Sequence, residues 1–245
     1  MAINLDALFD RKWTCHACET TFVSQRVRSN QLQLLKRDSD FCTHYKEQRL
    51  NPILYTVTVC PSCGYSFTDQ FSNYLPPHVK KRIQDNITSK WTPKEFGGIR
   101  GYEEAIASYK LAIYTAILKE EAYCVKAGLY LRLAWLYRFV DKPEEEQRFL
   151  QLSVGEYEKS FTHSDFVNKD KDMSETRMLY LIGELMRRIE QYDKAILYFS
   201  KTVEMKNRTI ESGIINMARD QWSVAREEYK AKKAASLEMN EAQSS

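Results

Sequence analysis

The sequence predicts an α+β fold that is mainly α: a small cysteine-rich β module over residues 1–75, then a helical repeat. Three observations predict it. Two Cys-x-x-Cys pairs, Cys15/Cys18 and Cys60/Cys63, flank or follow short β-like stretches. From Tyr102 onward, apolar residues recur at helical spacing almost to the end. Two helical segments 90 residues apart repeat one pattern of small and aromatic residues.

The bulk properties bound the answer. The chain has 245 residues, 43% apolar and 28% charged, which is the composition of a soluble globular protein. No apolar run approaches the roughly 18 residues a membrane helix needs. The start, Met1–Asp6, lacks a basic segment leading into an apolar core, so no signal peptide is expected. The expected compartment is a reducing cytoplasm, where paired cysteines hold metals more often than they form disulfides. Net charge is +3, with a mild basic tilt in residues 1–95. Strong nucleic-acid binders carry a denser basic stripe.

Along the first module, Thr20–Arg28 reads as extended. Ile53–Val59 reads as the clearest strand, because β-branched and aromatic residues alternate with Thr after Pro52. That segment delivers Cys60-Pro61-Ser62-Cys63-Gly64, the form of a zinc knuckle. A two-residue gap in a tight turn lets both sulfurs face one ion at about 2.3 Å. Gly64 supplies a left-handed turn position. Tyr65 and Phe67 are placed to pack over the site, as Phe22 is after the first pair. Cys15, Cys18, Cys60 and Cys63 are therefore the metal ligands, holding structural Zn2+ in a zinc-ribbon-like module. His16 lies inside a pair but points poorly for its neighbours' ion.

The pairs stand 41 residues apart, against roughly 15–20 in a compact ribbon, so an insertion projects around Leu32–Asn51. It contains Asp38, Asp40, Cys42 and His44. These form either a second metal or catalytic centre, or a turn in which Asp38 caps, Phe41 and Tyr45 pack and Cys42 is buried. The second reading is the simpler one. Cys42 or His44 replacing one of the four thiols is a further alternative.

Pro76-Pro77 opens a short helix through Ile87, and Trp91-Thr92-Pro93 with Gly97-Gly98 marks a linker, giving a segment over 76–100. The helical domain covers 101–235. Ala105, Tyr109 and Ala112 match Ala195, Phe199 and Thr202, the pattern of the second helix of a tetratricopeptide repeat. Leu179, Ile182-Gly183 and Met186 fit its first helix. An intermediate unit runs from Ala122 to about Phe161, its second helix opening at Asp141-Lys142-Pro143. Glu146 stands where a small residue is expected, so the repeat is degenerate, with a polar insertion near Thr162–Met173. Thr209 to about Lys233 suits a terminal capping helix. Residues 236–245 read as a disordered tail.

A repeat of this kind has a groove lined by its first helices. The candidates are Leu131, Trp135, Arg138, Tyr180, Glu184, Arg187 and Arg188, with the arginines suited to an acidic or C-terminal peptide. The Asn of a chaperone-tail carboxylate clamp is missing, since Trp135 and Glu184 stand there.

Taken together these segments resemble the bacterial domain-of-unknown-function family 2225. The likeness rests on Cys15-x-x-Cys18 with Phe22, Arg37–Cys42 with Tyr45, Asn51-Pro52 with Tyr55, Val59–Tyr65, Ala105–Ala112 and Gly128–Arg138. It covers about residues 5–210 and departs at His16, where Pro would match Pro61. The resemblance implies a cysteine-rich zinc-ribbon-like segment joined to tetratricopeptide-like repeats in a cytoplasmic bacterial setting. It carries no activity.

The chain shows no phosphate-binding loop, nucleophile elbow or metalloprotease helix motif, so a non-enzymatic zinc-binding adaptor with a protein or peptide partner is expected. One alternative is a nucleic-acid-binding regulator using Arg26, Arg28, Lys36, Arg37, Lys46 and Arg49 near aromatics. Another is a redox sensor whose thiolates release zinc on oxidation. An enzyme built on Asp38, Asp40 and His44 ranks behind these.

Overall fold

The computed structural model describes residues 7–168 and 173–243. The start at Met1–Asp6, residues 169–172 of the polar insertion expected near Thr162–Met173 and the last two residues of the expected tail lie outside the described residues. The fold is α+β and mainly α. Three antiparallel hairpins come first: β1 (Leu8–Thr14) with β2 (Thr21–Val27), β3 (Leu34–Arg37) with β4 (Thr43–Tyr45), and β5 (Thr58–Val59) with β6 (Ser66–Phe67). The first and third hairpins each turn through one cysteine pair. The middle hairpin is the insertion between them.

The strand expected over Ile53–Val59 is a correction. Only Thr58 and Val59 lie in a strand, while Pro52–Tyr55 form a 3-10 turn. The Asn51 side chain starts that turn by accepting from the Ile53 N–H at 3.1 Å, and Pro52 sits at its first position. The carbonyls a strand would offer a neighbour are taken by arginines instead. Arg26 donates to Tyr55 O at 2.6 Å and Thr56 O at 2.9 Å. Arg100 donates to Val57 O at 2.6 Å and Leu54 O at 3.3 Å. Buried backbone carbonyls need partners, and here side chains rather than a sheet provide them.

The helices are α1 (Pro77–Asn86), α2 (Tyr102–Leu118), α3 (Tyr123–Phe139), α4 (Pro143–His163), α5 (Glu175–Arg188), α6 (Tyr192–Glu204) and α7 (Ser212–Gln243). Their ends follow local rules. Glu104 reaches back to the Gly101 N–H at 3.0 Å to open α2, and Ser174 accepts from Arg177 N–H at 3.1 Å to open α5. Helices α2, α3 and α5 end alike. Glu120, Asp141 and Glu190 take left-handed backbone angles. The next residues then bond back five positions, Glu121 to Ala116, Lys142 to Tyr137 and Gln191 to Met186. This is the six-to-one C-terminal bond normally enabled by glycine. Helix α7 continues through Gln243, across the stretch read as a tail from Ser236.

Contacts divide the chain into two compact units, one ending at Glu156 and the other starting at Tyr157, inside α4. The boundaries expected at residues 75 and 100 both fall within the first unit, where α2 packs on β5, β6 and the 52–55 turn. Tyr55, Tyr109, Leu133 and Leu136 are among its fully buried side chains. In the second unit Met178, Tyr180, Ala195 and Phe199 are fully buried. Gly183 allows the Phe199 ring to close on α5, since a Cβ there would lie 3.0 Å from it. Burying each large apolar side chain contributes about 1.5–3 kcal/mol. Among the described residues no helix is long and apolar enough to cross a membrane.

Candidate metal centre

The two cysteine turns are built alike. In the first, Cys15 N–H bonds Thr20 O and Glu19 N–H bonds Cys15 O, both at 2.9 Å. In the second, Cys60 N–H bonds Tyr65 O and Gly64 N–H bonds Cys60 O, again at 2.9 Å. The fourth residue after each first cysteine is left-handed, with φ of 63° at Glu19 and 74° at Gly64. The hairpin strands close onto these turns, so the sulfurs are carried by hydrogen-bonded backbone.

The four sulfurs all lie within 4.8 Å of one another. Cys15 Sγ is 3.5 Å from Cys63 Sγ, and Cys18 Sγ is 3.6 Å from Cys60 Sγ. A disulfide needs about 2.05 Å. Four sulfurs at about 2.3 Å from one tetrahedral ion stand about 3.8 Å apart. The observed spacing therefore fits a shared metal ion and no disulfide. Without an ion the crowded thiols sort into donors and an acceptor. Hydrogen bonds from Cys15 and Cys63 hold the Cys60 thiol far below its ordinary range. Bonds with Cys15 and then with Cys60 raise Cys63, and the bond to Cys60 raises Cys15. A dication would replace these protons and engage all four thiolates.

The second turn is braced from behind. Trp91 Nε1 donates to Pro61 O at 2.7 Å, and Thr88 Oγ1 to Cys63 O at 3.2 Å. Phe67 stacks with Tyr65 at 5.5 Å and meets Trp13 edge-on at 5.3 Å. Phe22 pairs across the hairpin with Trp13 and is half-buried. His16 packs against Phe67 at 5.9 Å and stands outside the thiol cluster. Spacing did not disclose Trp91, Arg26 or Arg100. The Arg100 side chain is fully buried, and burial pulls its guanidinium down to about 10, so it stays charged at neutral pH among carbonyls and Ser24.

The insertion carries a second cluster. The Asp38–Cys42 turn is closed by Asp38 N–H to Cys42 O at 2.8 Å, with Phe41 left-handed at φ 70°. His44 Nε2 lies 2.8 Å from Asp38 Oδ2. Burial opposes charge on Asp38, but bonds from His44 and Lys36 outweigh it and hold the carboxyl below its usual range. Ligand atoms of Asp38, Cys42 and His44 lie within 4.8 Å of one another, as a group separate from the four thiols.

This turn also occupies the expected groove of α3. Arg138 donates to Asp40 at 2.6 Å, Asp38 at 3.1 Å and Glu146 at 2.7 Å, while Trp135 Nε1 donates to Asp40 at 3.0 Å. The acidic ligand suited to Arg138 is thus supplied by this chain, about 100 residues away in sequence. In the second unit Arg187 pairs with Glu184 at 2.8 Å and Glu228 at 2.8 Å, and Arg188 with Glu184 at 2.8 Å. Leu131, Tyr180 and Glu184 are buried. The seven groove candidates fall in two units, three of them enclosed and the three arginines already matched to carboxylates. Of the basic residues near aromatics, Arg26 points inward to backbone carbonyls and Arg28 lies 4.8 Å over Phe9.

The family model described as "Uncharacterized protein conserved in bacteria (DUF2225)" matches residues 8–225. A relative from Borreliella burgdorferi, described as "Uncharacterized protein", is 27% identical over 167 residues, or 62% of this chain. The chain spans 58% of the length of that curated relative. No solved structure matches the chain significantly.

Proposed function

The chain belongs to the bacterial DUF2225 family, and from that premise we propose a zinc-stapled, non-enzymatic adaptor that binds a protein or peptide partner in the cytoplasm. The observation that carries this reading is the closed set of four thiols in two matching turns. Thiolate donors in a tetrahedral set favour zinc, and four protein ligands leave no position for a substrate. The ion then acts by holding the first and third hairpins together.

The working surface is assigned to the helices. Gly183, Ala195 and Phe199 pack as the close-contact positions of a tetratricopeptide-like pair would. The repeated left-handed endings of α2, α3 and α5 support the same reading. The arginine groove is a poor candidate for the contact, because its charges are matched within the chain. Exposed apolar side chains in the second unit are better placed, notably Leu197, Ile210 and Val224. Contiguous exposed apolar patches mark interaction sites, and these side chains are the candidates for one.

The test is native purification with mass-spectrometric identification of what accompanies the full chain. A partner is expected that Leu197→Asp with Val224→Asp releases and Arg138→Lys does not. Recovery of none across repeated preparations, or of one indifferent to the double variant, would overturn the adaptor reading. Zinc bound in equal amount after Cys60→Ser would overturn the staple.

A further inference from the structure

We propose that Asp38, Cys42 and His44 form a second zinc-type site, with three protein ligands and a fourth position open toward an adjoining pocket. A carboxylate, a thiol and an imidazole supply three different donors suited to zinc, each offering one atom within 4.8 Å of the others. The backbone fixes two of the ligands. The turn bonds Asp38 N–H to Cys42 O, and His44 follows two residues later on β4, opposite Lys36.

Charge favours a cation here. Asp38, Asp40 and Glu146 are mostly buried and share the one guanidinium of Arg138. Lys36, the other cation on Asp38, is largely exposed and weakly held. A Cys42 thiolate would add negative charge, so a dication balances the cluster without displacing Arg138 from Asp40 and Glu146. His44 Nε2 and Asp38 Oδ2 stand 2.8 Å apart across a hydrogen bond. Nitrogen and oxygen ligands at about 2.0 Å from a tetrahedral ion are about 3.3 Å apart. Loading therefore exchanges the shared proton for the ion and opens the pair by about half an ångström.

Of the three ligands, Cys42 lines a pocket of about 250 Å³ together with Thr43, Asn51, Arg132 and Trp135, and the fourth position would open toward it. Arg132 places positive charge on its wall, so the exchangeable ligand is water or a small anion. Cys42 itself is fully buried. A thiol attacking a substrate would need an open approach, whereas an ion needs only the site and the cavity. The site differs in kind from the closed four-cysteine set, because one coordination position exchanges.

Zinc is loaded into the metal-stripped full chain, excess is removed, and zinc is counted per chain by native mass spectrometry. Wild type is expected to hold a second equivalent, and Cys42→Ser or His44→Gln to hold half as much. Cobalt loading should show that the halved variants keep the intense thiolate charge-transfer band of the four-cysteine site. Cys60→Ser weakens that band toward what the single Cys42 thiolate supplies and leaves the second equivalent, which separates this proposal from the staple. A single equivalent in wild type overturns the second site, as does full zinc content in the His44→Gln variant. Should Cys42→Ser lose both equivalents by misfolding, His44→Gln and Asp38→Asn decide.

Discussion

The two cysteine turns share one backbone scheme and differ in what surrounds them. Both close with the same pair of 2.9 Å bonds around a left-handed fourth residue. The second turn has Gly64 at that position, with Trp91 and Thr88 packed behind it, and both its cysteines are buried. The first has Glu19 there, no such brace on its cysteine carbonyls among the bonds described, and an exposed Cys18. Ligand geometry is thus set by a short backbone pattern, while protection of the ligands is set by distant residues.

The largest expected effect is the loss of a buried ligand. Structural zinc contributes about 10–16 kcal/mol of apparent binding energy in small domains. Cys60→Ser should remove the ion and lower unfolding stability by on the order of 5 kcal/mol. Cys18→Ser should cost less, because a hydroxyl there is solvated whereas one at Cys60 is buried. Urea unfolding of both variants, with zinc counted in each, measures the difference. Equal losses would mean that the two turns are equally enclosed, against the exposure of Cys18.

Next comes Gly64→Ala. A left-handed L-residue costs about 1–2 kcal/mol. The new Cβ would also stand 2.5 Å from the Trp91 ring and 3.1 Å from Ile87, so the ring must shift from its bond to Pro61. The expected loss is about 3 kcal/mol, with zinc retained but released faster to a chelator. A loss below about 1 kcal/mol would show that Trp91 gives way freely and is no brace.

This difference between turns marks what the sequence could disclose. The four-thiol cluster is legible in the sequence because Cys-x-x-Cys spacing and Cys60-Pro61-Ser62-Cys63-Gly64 are local statements about one turn. The strand expected over Ile53–Val59 fails because alternation alone does not say which groups take the carbonyls. Arg26 and Arg100 take them, and neither is near in sequence. The same holds for Arg138. Its side chain was noticed on a helix and Asp38 and Asp40 in a loop, but nothing local joins residues about 100 positions apart. The mainly helical character from Tyr102 onward is legible, since amphipathic spacing and end signals are again local, whereas the end of α7 is not.

A smaller effect concerns reactivity. In the metal-free chain a brief exposure to an alkylating reagent should modify the exposed Cys18 before the buried Cys15 or Cys63, whose thiols are raised, by about tenfold in initial rate. Peptide mapping by mass spectrometry reads the order. Cys63 labelled as fast as Cys18 would show that the second turn opens when the ion leaves, and that the brace depends on the metal.

The smallest effect is the most direct comparison of the two turns, replacing Glu19 by the residue its counterpart has. Glu19 holds φ 63°, where a side chain costs about 1–2 kcal/mol and glycine costs nothing. Against that gain, glycine adds unfolded-state entropy worth about 0.5–1 kcal/mol. The substitution also removes the 3.4 Å pair between Glu19 and Lys80. Both side chains of that pair are exposed, so its contribution is small. Glu19→Gly should therefore raise unfolding stability by about 0.5 kcal/mol, and by slightly more in high salt, where the lost pair contributes nothing. A destabilisation of 1 kcal/mol or more would mean that Glu19 does something in the first turn that Gly64 does not do in the second. The Lys80 pair would then be the contact to examine, because it joins the first turn to α1, the helix that leads into Trp91 behind the second.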